Sequence, residues 1–129
     1  MASVINAKSG STFTNNLETV EVTYDFAVDG GATGALTLFT ALQDLVIHRV
    51  TAKVVTAVVG TSSTVEVGIA GGTAIYVAQT AEASLGAGIV LDSKKGSVKL
   101  ASGAAMIQTI GTAALTAGKV RYMIEFSKF

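Results

Sequence analysis

The sequence predicts an all-β domain: a single antiparallel β-sandwich of jelly-roll type over residues 18–129, behind an extended N-terminal arm at residues 1–17. Three observations carry this expectation. Val, Ile and Thr make up 40 of the 129 residues, and β-branched side chains suit a pleated, half-buried surface better than a helix. Two segments near opposite ends of the chain alternate strictly. In one, Val20, Val22, Tyr24, Phe26 and Val28 oppose Glu21, Thr23, Asp25 and Ala27. In the other, Val120, Tyr122, Ile124 and Phe126 oppose Lys119, Arg121, Glu125 and Ser127. A period of two sends each set to its own face of a strand. Between these segments, short β-prone runs recur at turn signals made by Gly, Asn, Asp and Ser, in a chain without Pro. Such spacing indicates a sandwich or barrel rather than βαβ units. Matching patterns at distant ends suit the non-local closure of a jelly roll.

The elements follow in order. Residues 1–17 are polar and aperiodic, with Val4, Ile5 and Phe13 as isolated apolar groups; the competing reading is a tail with no role. A strand is expected over residues 19–28 and ends at Asp29-Gly30-Gly31. A second covers 34–40, and residues 41–44 form a short connection. Residues 45–59 are the longest apolar run, and their Val and Thr content favours a strand over a helix. Continuous alternation places Val46, His48, Val50, Val54 and Val58 on one face, with Leu45, Ile47, Val55 and Val59 on the other as candidate subunit contacts. Gly60-Thr61-Ser62 is read as the turn of a hairpin into 63–70. Short strands at 73–78, 89–91, 98–101 and 105–110 precede the last strand at 119–128, and residues 79–87 are read as a loop. The expected core is Val20, Val22, Tyr24, Phe26, Val50, Val54, Val65, Val67, Ile69, Val120, Tyr122, Ile124 and Phe126.

Composition narrows the function. Nine Lys and Arg balance nine Asp and Glu, which argues against nucleic acid or a membrane surface held by charge. With no Cys and one His, disulfide frameworks, zinc ribbons, thiol chemistry and two-His mechanisms are excluded. The N-terminus has no long apolar stretch, and no signal peptide, membrane helix or cofactor is expected. Half the residues are hydrophobic but only 6% are aromatic, so a lone domain is expected to gain stability by self-association.

No motif requires chemistry. Gly68-Ile69-Ala70-Gly71-Gly72 has the spacing of neither common phosphate-binding loop and precedes no helix, so it reads as a turn. His48 reads as a core or interface histidine bonded to backbone. Asp25, Asp29, Asp44 and Asp92 are scattered, and no calcium-loop pattern contains them. Glu21 and Glu66 invite comparison with a carboxylate pair, but outward Glu residues on strands are usually solvated. Lys94 and Lys95, with Lys99 nearby, form the one local basic cluster, a candidate for docking on an acidic surface.

The long strand leading through a Gly turn into Thr64-Val65-Glu66-Val67-Gly68, together with the ending Leu115-Thr116-Ala117-Gly118-Lys119-Val120-Arg121-Tyr122-Met123-Ile124-Glu125-Phe126, resembles small jelly-roll virion proteins of tailed bacteriophages, capsid decoration (cement) proteins among them. The resemblance spans residues 19–129. It implies a homotrimer seated on the major capsid protein at local three-fold points of an icosahedral head, and it supplies no catalytic residues. Expected contacts to the capsid or a neighbouring subunit are Val4, Ile5, Phe13, Leu45, Ile47, Val55, Val59, Lys94 and Lys95. The competing classes are another phage assembly part (tail, head fibre or baseplate) and a carbohydrate-binding sandwich. The latter usually needs exposed aromatic platforms, for which only Tyr76 remains once Tyr24 and Tyr122 face inward. An enzyme ranks last.

Overall fold

A computed structural model describes residues 17–93 and 97–129. Nine strands are present among them: β1 (Glu18–Asp25), β2 (Gly34–Thr40), β3 (Leu45–Gly60), β4 (Thr64–Ile69), β5 (Gly72–Ala81), β6 (Val90–Asp92), β7 (Val98–Leu100), β8 (Ala105–Gly111) and β9 (Leu115–Lys128). They form two sheets in which every pairing is antiparallel. The first sheet has the order β1-β9-β3-β6, with β7 also on β3, and the second has the order β2-β8-β4-β5. β6 pairs with Thr51–Lys53 and β7 with Leu45–Ile47, so the two share one edge position along β3. The pairs β1/β9, β2/β8, β3/β6–β7 and β4/β5 are nested, as if one long hairpin were rolled up. This is the jelly-roll winding that the sequence predicts.

The core lies between the sheets. Tyr24, Val50, Val54, Val120, Tyr122 and Ile124 from the first sheet meet Val65, Val67, Val77, Met106 and Ile110 from the second. All thirteen expected core residues join this cluster; Val20, Val22, Phe26, Ile69 and Phe126 are only partly buried at its margin. Gln108 is fully buried among them, and its Oε1 accepts a hydrogen bond from the Tyr122 hydroxyl. Burial pushes the Tyr122 phenol well above its ordinary pKa.

Several elements differ from the sequence reading, each for a physical reason. β1 stops at Asp25 because that side chain accepts from the Ala27 N–H (3.0 Å) and caps a single helical turn, α1 (Phe26–Asp29). The Asp29 carboxylate accepts from the Asp25 N–H (2.9 Å), and Val28 is left exposed. β3 and β4 are not a hairpin: β3 pairs with β9, β6 and β7, while β4 pairs with β5 and β8. The Gly60–Ser63 turn instead carries the chain from one sheet to the other. Here a Cβ on Gly60 would collide with the Ser63 side chain, whose Oγ donates to the Ala114 carbonyl (3.2 Å). β5 runs on to Ala81 and is followed by a 3₁₀ turn, Glu82–Ser84, where a loop was expected. Tyr76 on β5 is buried, so it offers no aromatic platform.

β3 carries the largest departure. Its register against β9 shifts between Ile47 and Arg49, leaving His48 as an extra residue. A bulge of one residue inverts which positions face inward. Leu45 and Ile47 are therefore core residues, 4% and 1% exposed, on the same side as Val50, Val54 and Val58. Val46 and His48 do not share that face. His48 bonds two side chains rather than backbone: its Nδ1 lies 2.9 Å from Ser97 Oγ and its Nε2 lies 2.8 Å from Ser127 Oγ. Beyond the bulge, Val55 and Val59 alternate with the inward Val54 and Val58 and face outward, 43% and 45% exposed.

Candidate assembly surfaces

The alternation that fills the core also decides what the outer faces present. On the first sheet the outward positions of β1, β9, β3 and β6 carry Glu21, Asp25, Lys119, Arg121, Glu125, Arg49, Lys53 and Asp92. Opposite charges meet across the ladders: Arg49 with Asp92 (2.9 Å), Lys119 with Asp25 (3.6 Å) and Arg121 with Glu21 (3.7 Å). Asp92 also accepts from Thr51 Oγ1 (3.1 Å), and the hydrogen bonds from Arg49 and Thr51 hold its carboxyl below the usual range. These pairs are largely solvated and do little for stability.

The outer face of the second sheet is almost uncharged. Its outward positions on β2, β4 and β8 are Ala35, Thr37, Thr64, Glu66, Gly68, Ala105, Ile107 and Thr109. The one carboxylate, Glu66, is buried and accepts from Gln79 Nε2 (3.3 Å). Gly68 has no room for a side chain, because the backbone of Gly72 and Thr73 in the bulged start of β5 occupies the place of a Cβ. Glu21 and Glu66 thus lie on different sheets and do not face each other.

Apart from Val28 on α1, the large apolar groups exposed among the described residues lie in two places. Along the upper half of β3 and the adjoining β6 lie Val55, Val59, Ile89 and Val90. The lower end, where β1 begins and β9 ends, exposes Leu17, Leu42 and Phe129. There Phe39 and Phe126 meet across the sheets with ring centroids 5.6 Å apart. Lys99 sits 3.5 Å from the Asp44 carboxylate and 4.2 Å from the Phe129 ring centroid. It is thus engaged on its own chain. Asp44 accepts from the Ser102 N–H (2.8 Å), and that bond, with Lys99 beside it, lowers its pKa.

Of the residues expected to make contacts, Val55 and Val59 lie on the surface, Leu45 and Ile47 lie in the core, and Val4, Ile5, Phe13, Lys94 and Lys95 fall outside the described residues. Leu42 and Phe129 were missed. The available signal was an apolar residue inside a short polar connection and another at the chain end, neither of which a strand pattern weighs.

Nothing among the described residues gathers chemistry. No group of three or more His, Asp or Glu is close enough to hold a metal, and no helix is long and apolar enough to cross a membrane. A cavity between the sheets, lined by Ala52, Val65, Val77, Leu85 and Tyr122 among others, has about 10 Å³, room for one water at most. A second, beside Tyr24 and Asp29, has about 140 Å³, below the usual range of small-molecule sites. Its Asp29 carboxylate already accepts from backbone.

Two sheets wound as a jelly roll, with charge on one outer face and small side chains on the other, define the class of this protein as a jelly-roll β-sandwich. The comparisons place solved structures beside it. The chain is similar to one in the cyanophage Pam1 capsid asymmetric unit, at 18% identity and a TM-score of 0.68, covering 100% of this chain and 96% of that one. It is also similar to one in the acid-stable capsid of the Helicobacter pylori bacteriophage KHP30, at 15% identity and a TM-score of 0.64, covering 86% of each. At these identities the likeness establishes a shared fold. No family model matches the sequence, and no curated protein matches it.

Proposed function

We propose that this chain is a structural component of a phage virion, and more narrowly a capsid decoration (cement) protein that binds the major capsid protein on the surface of an icosahedral head and reinforces it as a homotrimer. The observation that carries this reading is the full-length correspondence of fold with a chain of the Pam1 capsid. The described residues support it by what they present: surfaces suited to packing, and cavities too small for ordinary substrates. The role is non-catalytic, with no cofactor, nucleic acid or membrane. Val55 and Val59 supply subunit contacts. The N-terminal arm, residues 1–17, supplies Val4, Ile5 and Phe13 as apolar anchors in the assembled particle, and Lys94 and Lys95 meet acidic groups of the shell. The burial of Tyr76 weakens the carbohydrate-binding alternative.

Co-sedimentation with purified heads tests this reading. A cement protein binds expanded shells and leaves unexpanded ones bare. Binding to neither overturns the capsid role and points to a tail, head-fibre or baseplate position. Light scattering that reports a stable monomer overturns the trimer.

A further inference from the structure

The lower end of the sandwich holds an apolar groove of about 210 Å³, lined by Phe39, Thr40, Leu42, Gln43, Leu45 and Phe126. The Phe39–Phe126 ring pair forms one wall, and Leu42, 92% exposed, stands at the rim. None of the lining residues is charged. We propose that this groove is the seat of the Phe13 side chain of the same chain, so that the N-terminal arm leaves the domain from a fixed point.

The position of the first strand carries the argument. Glu18, the first residue of β1, pairs directly with Phe126, which lines the groove. The chain that precedes β1 therefore departs beside the opening. Four residues lie between Phe13 and Glu18, and the five steps reach up to about 17 Å in extended chain. Val4 and Ile5, farther out, would close a longer loop at greater entropic cost. Phe13 is the one aromatic residue in the arm, and its neighbours Ser11, Thr12, Thr14, Asn15 and Asn16 are uncharged. A ring suits a groove walled by rings. The hydroxyl of Thr40 and the amide of Gln43 offer hydrogen-bond partners to the backbone on either side. Tethering makes the contact intramolecular, so a modest attraction suffices.

The inference rests on the arm reading and departs from it at one residue: Phe13 anchors the arm to its own domain instead of to a partner, which leaves Val4 and Ile5 for the partner. The chain contains no Trp and no Cys, which makes two reporters unambiguous. In Phe13→Trp, emission from the folded chain should be blue-shifted relative to the unfolded chain, and adding Leu42→Ser should return it toward red. Leu42 is exposed, so that substitution leaves the fold intact. Emission like that of free tryptophan, or a blue shift indifferent to Leu42→Ser, overturns the seat. In a Phe13→Cys, Gln43→Cys chain, mild oxidation should yield a disulfide within one chain on a non-reducing denaturing gel. A two-chain band, or no bond, overturns docking on the same chain. Neither assay involves capsids. If the reporters show no docking and removal of residues 1–17 still weakens capsid binding, the seat fails and the arm reading stands.

Discussion

β3 and β9 are the two long neighbours at the centre of the first sheet, 16 and 14 residues, and they use alternation differently. Along its pairing with β1, from Lys119 to Phe126, β9 keeps one phase: Val120, Tyr122 and Ile124 face the core, while Lys119, Arg121 and Glu125 face out. β3 changes phase at His48 and shifts register again beyond Val54. The change at His48 brings Leu45 and Ile47 to the same side as Val50 and Val54, while Val55 and Val59 alternate with the inward Val54 and Val58 and face outward. The two neighbouring strands thus give one uniform outer face and one divided along its length. The lesson is that apolar content says how much of a strand is buried, whereas bulges decide which residues are.

Substitutions along β3 test this contrast, the largest expected effect first. Ile47→Ala should cost about 2–5 kcal/mol of stability by urea denaturation, as should Ile124→Ala on β9, because both side chains are fully buried. If β3 kept a single phase, Ile47→Ala would be nearly silent. His48→Ala should cost about 1 kcal/mol, since it removes the bonds to Ser97 and Ser127 that hold the bulge. A gain in stability would show the bulge to be strained rather than supported. Replacing both Val55 and Val59 by Ser should change the stability of the isolated domain by about 0.5 kcal/mol or less at each site. In the trimer reading, the same variant should dissociate more readily in light scattering.

The smallest effect is a pH dependence beside the bulge. Arg49 and Thr51 lower the pKa of Asp92 in the folded chain. The stabilisation from this carboxylate is present above its unfolded pKa of about 4 and is lost as pH falls through the lower folded value. Asp92→Asn should therefore lower Tm slightly at pH 7, and the two chains should converge in strongly acid solution. A difference that persists there would assign the effect to packing instead.

How far the sequence could be read depended on how each strand is held. β1 and β9 were legible because Tyr24, Tyr122 and Ile124 follow an uninterrupted period of two. Their shared inward pattern pointed to non-local closure, but not to which strand each pairs with. The phase of β3 was not, since nothing local marks His48 as a bulge; its partners Ser97 and Ser127 come from elsewhere in the chain. The crossing at Gly60–Ser63 reads like a hairpin turn because a tight turn has the same residues whether it joins paired strands or passes between sheets. What distinguishes it is the distant Ala114 carbonyl that accepts from Ser63. Of the candidate contacts on β3, the exposed Val55 and Val59 could be named but not told apart from Leu45 and Ile47, which are buried. The groove at the lower end was invisible, because its walls Phe39 and Phe126 come from different sheets.

The most direct test of the virion assignment compares the intact chain with one lacking residues 1–17 for binding to expanded capsids. Every core residue among the described residues lies beyond the deletion, so the shortened domain should fold with the same β-rich circular dichroism. The account predicts that the intact chain binds and that the deletion weakens binding at least tenfold, about 1.4 kcal/mol. Equal affinity of the two chains would contradict the role of the arm, and failure of the intact chain to bind would contradict the capsid role itself.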